Sequence, residues 1–234
     1  MLQSIDDIEL STLLADFLSL ATAQHSSPTI HILDLGCGTG RNTIKLLSYP
    51  WPSSLSVRVT GLDFSRAMLD VAAQKTQRMP HKPHFALADC FPTMKDASAS
   101  PFPVADGLES GAPPDAVIST LVLEHVPLDA FFATLAAVVR PGGYALVTNM
   151  HEEMGSISQA GFVDERTGVK VRGESWVYSV DEVLDMAKTC RFEITKVKER
   201  AMEKVDVEEG RVGSRGLKWM GVKVWFGVVL RMGA

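Results

Sequence analysis

Three glycines stand within five residues, Gly36-Cys37-Gly38-Thr39-Gly40, directly after an apolar run. Glycines so spaced let a backbone turn tightly and bring a small ligand against the main chain. A dinucleotide loop would want Gly or Ala at position 41, where this chain has Arg41. The Gly-Lys-Ser/Thr of a phosphate-cradling loop is absent too. The loop therefore suits a ligand without a pyrophosphate. Asp63 and Asp89 each close a later apolar run. A carboxylate in that place can accept paired hydrogen bonds from neighbouring hydroxyls. His125 and His151 follow two further apolar runs. Imidazole titrates near neutral pH and can take a proton there. Cys90 has no basic neighbour in sequence, so a nucleophilic thiolate is not expected.

Those residues need a frame that carries strand ends to one edge. Residues 8–23 repeat apolar side chains at helical spacing, until Ser26-Ser27-Pro28 breaks the pattern. Ile30–Leu35, Val57–Leu62, Phe85–Ala88, Asp115–Ser119 and Tyr144–Thr148 read as five strands. Between them lie helical stripes, one capped by Ser65 and one beginning near Pro127, which stands where a first helical residue would. Pro141-Gly142-Gly143 stops the latter. Residues 92–114, rich in Pro, Ser, Ala, Gly and Asp, read as a long surface loop. Ser179-Val180-Asp181-Glu182 is a capping-box pattern for a helix through Cys190. Phe192–Lys198 and the alternating Val222, Val224, Phe226, Val228 and Leu230 give a sixth and seventh strand.

Strands alternating with helices predict an α/β fold, doubly wound, with helices on both faces of a mainly parallel seven-stranded sheet. Such sheets bind ligands at the carboxyl ends of their strands, which is where the residues above fall.

The chain has 234 residues, of which 46% are hydrophobic and 22% charged. That accommodates one sizeable core and argues against general disorder. No apolar run reaches the roughly 18 residues of a bilayer span, and the first residues lack the basic-then-apolar order of a secretory signal. Three scattered cysteines, Cys37, Cys90 and Cys190, fit a reducing compartment, so a cytoplasmic location is expected. A net charge of -5 argues against general nucleic-acid binding.

Ile32-Leu33-Asp34-Leu35-Gly36-Cys37-Gly38-Thr39-Gly40 resembles the first motif of the class I S-adenosylmethionine-dependent methyltransferases. Val59–Ser65 resembles the segment in which an acid holds the ribose and the next residue packs on adenine. Pro113–Val126, with its Leu-Glu-His-Val ending, resembles the family's fourth motif in small-molecule members. Phe131–Val147 resembles the helix, turn and strand that follow. Together these cover residues 30–150 in order. The resemblance implies S-adenosylmethionine as cofactor, with Asp34, Gly36 and Gly38 around its methionine part, and Cys37 and Thr120 are further candidate cofactor-binding residues. It further implies Asp63 on the ribose, Phe64 and Met68 beside the adenine, and Asp89 with Cys90 at the adenine amino group. As packing residues, Phe64 and Met68 would be ordinary core.

The implied fold is one methyltransferase domain over residues 1–234. It has an N-terminal helical segment at 1–27, a cofactor-binding core at 30–150, a substrate-covering insertion at 151–178, and a closing helix and strands at 179–234. The last strand is antiparallel. Only about thirty residues precede the first strand, and none before Phe17 is aromatic, so an N-terminal cover is expected to be reduced, missing or supplied differently.

Methyl transfer is an in-line displacement, and a base is needed only if the nucleophile arrives protonated. His151 and His125 are the candidate bases. A capping or supporting place for His125 stands as an equal alternative, and Glu124 is read as orienting a neighbour or capping the next helix. Glu124-His125 also resembles the end of the Glu-x-x-Glu-His metal site of quinone-biosynthesis O-methyltransferases. Leu121 stands where the first Glu would, so no metal is expected. Trp176 and Tyr178 are candidate substrate contacts, with packing of the insertion against the sheet as an equal alternative. The segment Ser158–Arg172 resembles one in many small-molecule members, and the charged run Lys196–Glu209 reads as solvated.

The expected activity is methylation of an O, N or S atom of a small molecule. A protein or RNA methyltransferase and a non-catalytic cofactor-binding scaffold remain alternatives. Ser119-Thr120-Leu121-Val122 lacks the Asn/Asp-Pro-Pro-Tyr/Phe of enzymes that modify the amino groups of adenine or glutamine. The acceptor and the oligomeric state are left open.

Overall fold

In every central strand, neighbouring apolar residues part to opposite faces, so the sheet needs cover on both sides. The computed structural model describes residues 1–23, 25–91, 113–157, 161–163, 166–168, 170–172 and 175–234. The expected surface loop at 92–114 lies almost wholly outside them, as does part of Ser158–Arg172. Helix α1 (Leu2–Ala23) leads into β1 (Thr29–Leu35), α2 (Arg41–Ser48), β2 (Ser56–Asp63), α3 (Arg66–Thr76) and β3 (His84–Leu87). Next come β4 (Ala116–Thr120), a 3-10 turn at Leu123–His125, α4 (Leu128–Val138), β5 (Tyr144–Met150) and α5 (Glu152–Ile157). A small hairpin of β6 (Gly161–Val163) and β7 (Lys170–Arg172) precedes α6 (Val180–Thr189) and β8 (Phe192–Ala201). Helix α7 (Lys204–Glu208), a 3-10 segment at Ser214–Trp219 and β9 (Lys223–Met232) follow.

The large sheet has seven strands in the order β3-β2-β1-β4-β5-β9-β8. Its members from β3 to β5 run parallel, and β9 is antiparallel to both β5 and β8. The predicted doubly wound sheet with an antiparallel last strand is therefore observed. The strand order reverses between β1 and β4, which opens a crevice at their carboxyl ends.

One face carries Ile30, Ile32, Ile118, Leu146 and Trp225 against α1 and α2. The other carries Leu33, Leu35, Val117, Val147 and Phe226 against α4 and α6. The caps follow the sequence: Ser65 Oγ accepts the Met68 N–H at 3.4 Å, and Ser179 with Glu182 forms a complete capping box. Pro127 caps α4 rather than opening it as the first helical residue.

Three expectations are corrected. Helix α1 starts at Leu2, well before residue 8, because its first turns are anchored by polar groups that carry no apolar period. Asp6 is fully buried, and its Oδ1 accepts from Thr148 Oγ1 at 2.6 Å and Trp225 Nε1 at 2.8 Å. The charged run after Lys196 is not simply solvated. Arg200 donates to both oxygens of buried Asp206 at 2.8 Å and to Glu9 Oε1 at 2.8 Å, which ties α1, β8 and α7 together. The insertion at residues 151–178, for which no element was expected, holds α5 and the β6–β7 hairpin, elements of six and three residues that are too short to display a hydrophobic period. Among the described residues no helix is long and apolar enough to cross a membrane.

Candidate active site

The glycine loop closes β1 and swings back onto the end of β2. Gly36, Gly38 and Gly40 all have left-handed backbones, with φ of 74°, 54° and 77°. At Gly36 a Cβ would lie 2.5 Å from Val122 Cγ2, so the loop is seated directly on the segment that follows β4. The Gly36 and Cys37 amides both donate to the Leu62 carbonyl at 2.9 Å, and the Gly38 amide donates to Asp63 Oδ2 at 2.8 Å. In a phosphate loop such amides would face an anion. Here they are satisfied internally, and a carboxylate occupies their front. The geometry agrees with the sequence in disfavouring a pyrophosphate.

Asp34 lies beneath this loop, 2% exposed, and its Oδ2 accepts the Thr43 hydroxyl at 2.6 Å. Burial raises its carboxyl to about 6, against the lowering effect of the Thr43 hydrogen bonds. It ties the end of β1 to the first turn of α2. Burial, with Asp34 and Asp63 adding, also pushes the Cys37 thiol far above its usual range. Cys90 is pushed up to about 12 by burial and by Asp63 and Asp89. Both shifts favour the neutral thiol, in line with the sequence, which gives neither a basic neighbour.

The ends of β2 and β3 form the second wall. Asp63 is 8% exposed; its Oδ1 accepts the Ser65 amide at 2.9 Å, so both oxygens are held while each keeps a lone pair. Beside it Phe64 is 79% exposed. Met68 is exposed as well, and its Sδ would lie 3.7 Å from a Cβ at Gly38. Leu87, paired in register with Asp63, completes an apolar ledge. Sequence reasoning missed Leu87, because its outward face is set by β3 register. Asp89 is exposed at the same edge, and its Oδ1 accepts the Phe91 amide at 3.3 Å. Asp63, Phe64, Met68, Asp89 and Cys90 thus stand at the same strand ends as Gly38.

At the other side of the crevice, Thr120 Oγ1 accepts from Asn42 Nδ2 at 2.6 Å and from Arg41 Nη2 at 3.2 Å. Arg41 in turn pairs with Asp6 and with Asp7 of α1. The first turns of α1 therefore brace this end of the crevice, although no aromatic marks them in the sequence.

After Thr120 the chain passes through Leu121, at φ 55°, into the 3-10 turn. The Glu124 amide donates to Asn149 Oδ1 at 3.3 Å, and the Glu124 carbonyl accepts the Trp176 amide at 2.9 Å. The side chain of Glu124 is buried, with Oε1 3.4 Å from His125 Nε2. Burial pushes this carboxyl up to about 7 and lowers the pKa of His125. His125 is half exposed beside it. The sequence reading assigned Glu124 an orienting or capping place. Its desolvation depends on cover from distant segments and leaves no local signal.

The structure separates the two histidines. His151 is 2% exposed; its Nδ1 accepts the Glu153 amide at 3.1 Å, so Nε2 carries the proton and donates to Glu199 Oε2 at 2.9 Å. Glu199 belongs to β8, three strands beyond β4. His151 caps α5 and reaches across β9, away from the crevice, so it is not placed with the cofactor side chains. Tyr178 accepts the Leu128 amide at 3.0 Å and donates to the Val126 carbonyl at 3.1 Å, which fixes the insertion to the start of α4. Its hydroxyl is engaged in packing rather than offered to a substrate. Trp176 is half-buried against the Glu124 turn.

A family model for the methyltransferase domain matches residues 32–143. An uncharacterized methyltransferase of Emericella nidulans is 39% identical over 246 residues, spanning 97% of this chain and 83% of that protein. A trans-aconitate 2-methyltransferase of Acidovorax sp. (strain JS42) is 36% identical over 129 residues, 55% of this chain and 41% of that protein. Among solved structures, an S-adenosylmethionine-dependent methyltransferase of Methanosarcina mazei shares the fold with a TM-score of 0.61 at 16% identity, covering 95% of this chain and 97% of that one.

Proposed function

The chain belongs to the class I S-adenosylmethionine-dependent methyltransferases, and on that premise we propose that it methylates an oxygen, nitrogen or sulfur atom of a small molecule. The observation that carries the cofactor reading is the Asp63 carboxylate, pinned by the Gly38 and Ser65 amides beside the outward-facing Phe64 ring. Its remaining lone pairs suit two ribose hydroxyls, and the ring suits the face of an adenine. Asp89 stands at the same edge for the adenine amino group. Gly36, Cys37 and Gly38 would line the methionine part, with Thr120 offering its hydroxyl proton and Asp34 holding the loop from below.

When bound, S-adenosylmethionine supplies a methyl group on a sulfonium. The acids that surround the crevice suit that positive charge, and its loss during transfer is favoured where water is kept out. On this reading the acceptor would enter between the loop after β1 and the turn after β4. The trans-aconitate enzyme among the relatives supports a small acceptor, as does the Leu-Glu-His-Val ending. The three free cysteines fit a cytoplasmic setting. Incubation with methyl-labelled S-adenosylmethionine and fractionated cell extract tests the reading. Label is expected in the small-molecule fraction, and label confined to protein or RNA refutes it.

A further inference from the structure

Next to the crevice stands a carboxyl group that cofactor binding does not use. Glu124 is 8% exposed, and its Oε2 is sealed from solvent with no hydrogen-bond partner among the described residues. A carboxyl oxygen buried without a partner is unfavourable, and a fold keeps one only where something offsets it. The backbone there is fixed, since Asn149 accepts from its amide and Trp176 donates to its carbonyl. Val122, two residues earlier, is pressed on Gly36 of the cofactor loop. The turn bearing Glu124 therefore sits between that loop, the end of β5 and the segment entering α6.

We propose that Glu124 accepts the proton of the methyl acceptor, and that this acceptor bears a protonated oxygen or nitrogen rather than a carboxylate. The proposal rests on the small-molecule methyltransferase reading above. In the step, a lone pair of the acceptor's oxygen or nitrogen forms the bond to the methyl carbon. The electron pair of the broken carbon–sulfur bond stays on sulfur, and the acceptor's proton passes to the Glu124 carboxylate. Three further facts support this. Burial holds the carboxyl near 7, where a base accepts a proton effectively at neutral pH. His125, half exposed with Nε2 3.4 Å from Oε1, connects the carboxyl to solvent, so the proton can leave between turnovers. A carboxylate acceptor would set a second negative charge against an acid whose only ionisable basic partner among the described residues is that histidine.

Two measurements on the full chain test it. In carbon-13 NMR of protein labelled at the glutamate carboxyls, one resonance absent from Glu124→Gln is expected to titrate within about one pH unit of 7. Titration in the ordinary carboxylate range overturns the proposal. Labelled product from the extract assay is then treated with mild alkali. Methyl ethers and amines keep their label, as expected here, whereas a methyl ester releases labelled methanol and overturns the proposal while leaving the function reading intact. Glu124→Gln is expected to bind S-adenosylhomocysteine unchanged in calorimetry and to lose at least about 100-fold in kcat. Retained turnover overturns the proposal. Absence of label from every small molecule refutes the function reading, and the proposal with it.

Discussion

Replacing Gly36 with alanine probes how tightly the cofactor loop is seated. Two costs are legible at that position. Its φ of 74° is left-handed, which costs an alanine about 1–2 kcal/mol. Its Cβ would meet Val122 Cγ2 at 2.5 Å, with Cγ1 at 3.4 Å and Cβ at 3.6 Å behind it. Valine is stiff at χ1 and cannot swing clear without presenting its other methyl, so overpacking adds about 1–3 kcal/mol. Gly36→Ala is therefore expected to lower unfolding free energy by about 2–5 kcal/mol in urea titrations. Adding Val122→Ala should remove the steric part and leave the backbone part. The double-mutant cycle then reads a coupling of about 1–3 kcal/mol. Affinity for S-adenosylhomocysteine should fall in Gly36→Ala and recover in part in the double variant. A single variant within about 0.5 kcal/mol of the parent, or a cycle with no coupling, would refute the seating of the loop on the turn after β4.

Asp63→Ala should weaken cofactor binding by at least about tenfold in calorimetry, through loss of paired hydrogen bonds to the ribose; unchanged affinity would mean that the ribose lies elsewhere. His151→Ala removes the side-chain acceptor at the start of α5 and the bond to Glu199, so it should cost about 1–2 kcal/mol of stability. Its turnover per folded molecule should stay near that of the parent, and a loss beyond tenfold with stability intact would restore it as a base. Asp34 has its carboxyl raised from 3.8 to about 6 by burial, so the folded protein holds that proton more tightly than the unfolded chain. Its contribution is full below pH 3.8 and is lost as pH rises through about 6, by roughly 3 kcal/mol. Asp34→Asn should flatten that part of the stability–pH curve, and an undiminished slope in the variant would count against the burial argument.

The α/β alternation, the strand-end positions of Asp34, Asp63 and Asp89, and the Gly36–Gly40 turn were legible because each is local. Apolar runs of strand length, a capping serine and closely spaced glycines carry their physics in a few neighbouring residues. The roles of the histidines were less legible. Position after a strand predicts the correct edge of the sheet, but the partners of a side chain come from strand order. His151 follows β5 as expected, yet β9 lies beside β5 and β8 beyond it supplies Glu199, which draws the imidazole away from the crevice. Tyr178 was similarly open between substrate contact and packing until Val126 and Leu128 were seen to engage its hydroxyl.

The alternation of central strands with helices and the family were thus legible in the sequence alone, since hydrophobic period and turn chemistry act over short range. Which acids are desolvated was decided only by tertiary structure. Glu124 is flanked in sequence by residues that say nothing of its solvation, and it is buried because segments from β5 and the 175–178 stretch close over it. Asp6 is buried for the same reason, with Thr148 of β5 and Trp225 of β9, far away in the chain, closing on its carboxylate. Removal from water is a property of everything packed around a group, so no local pattern can announce it.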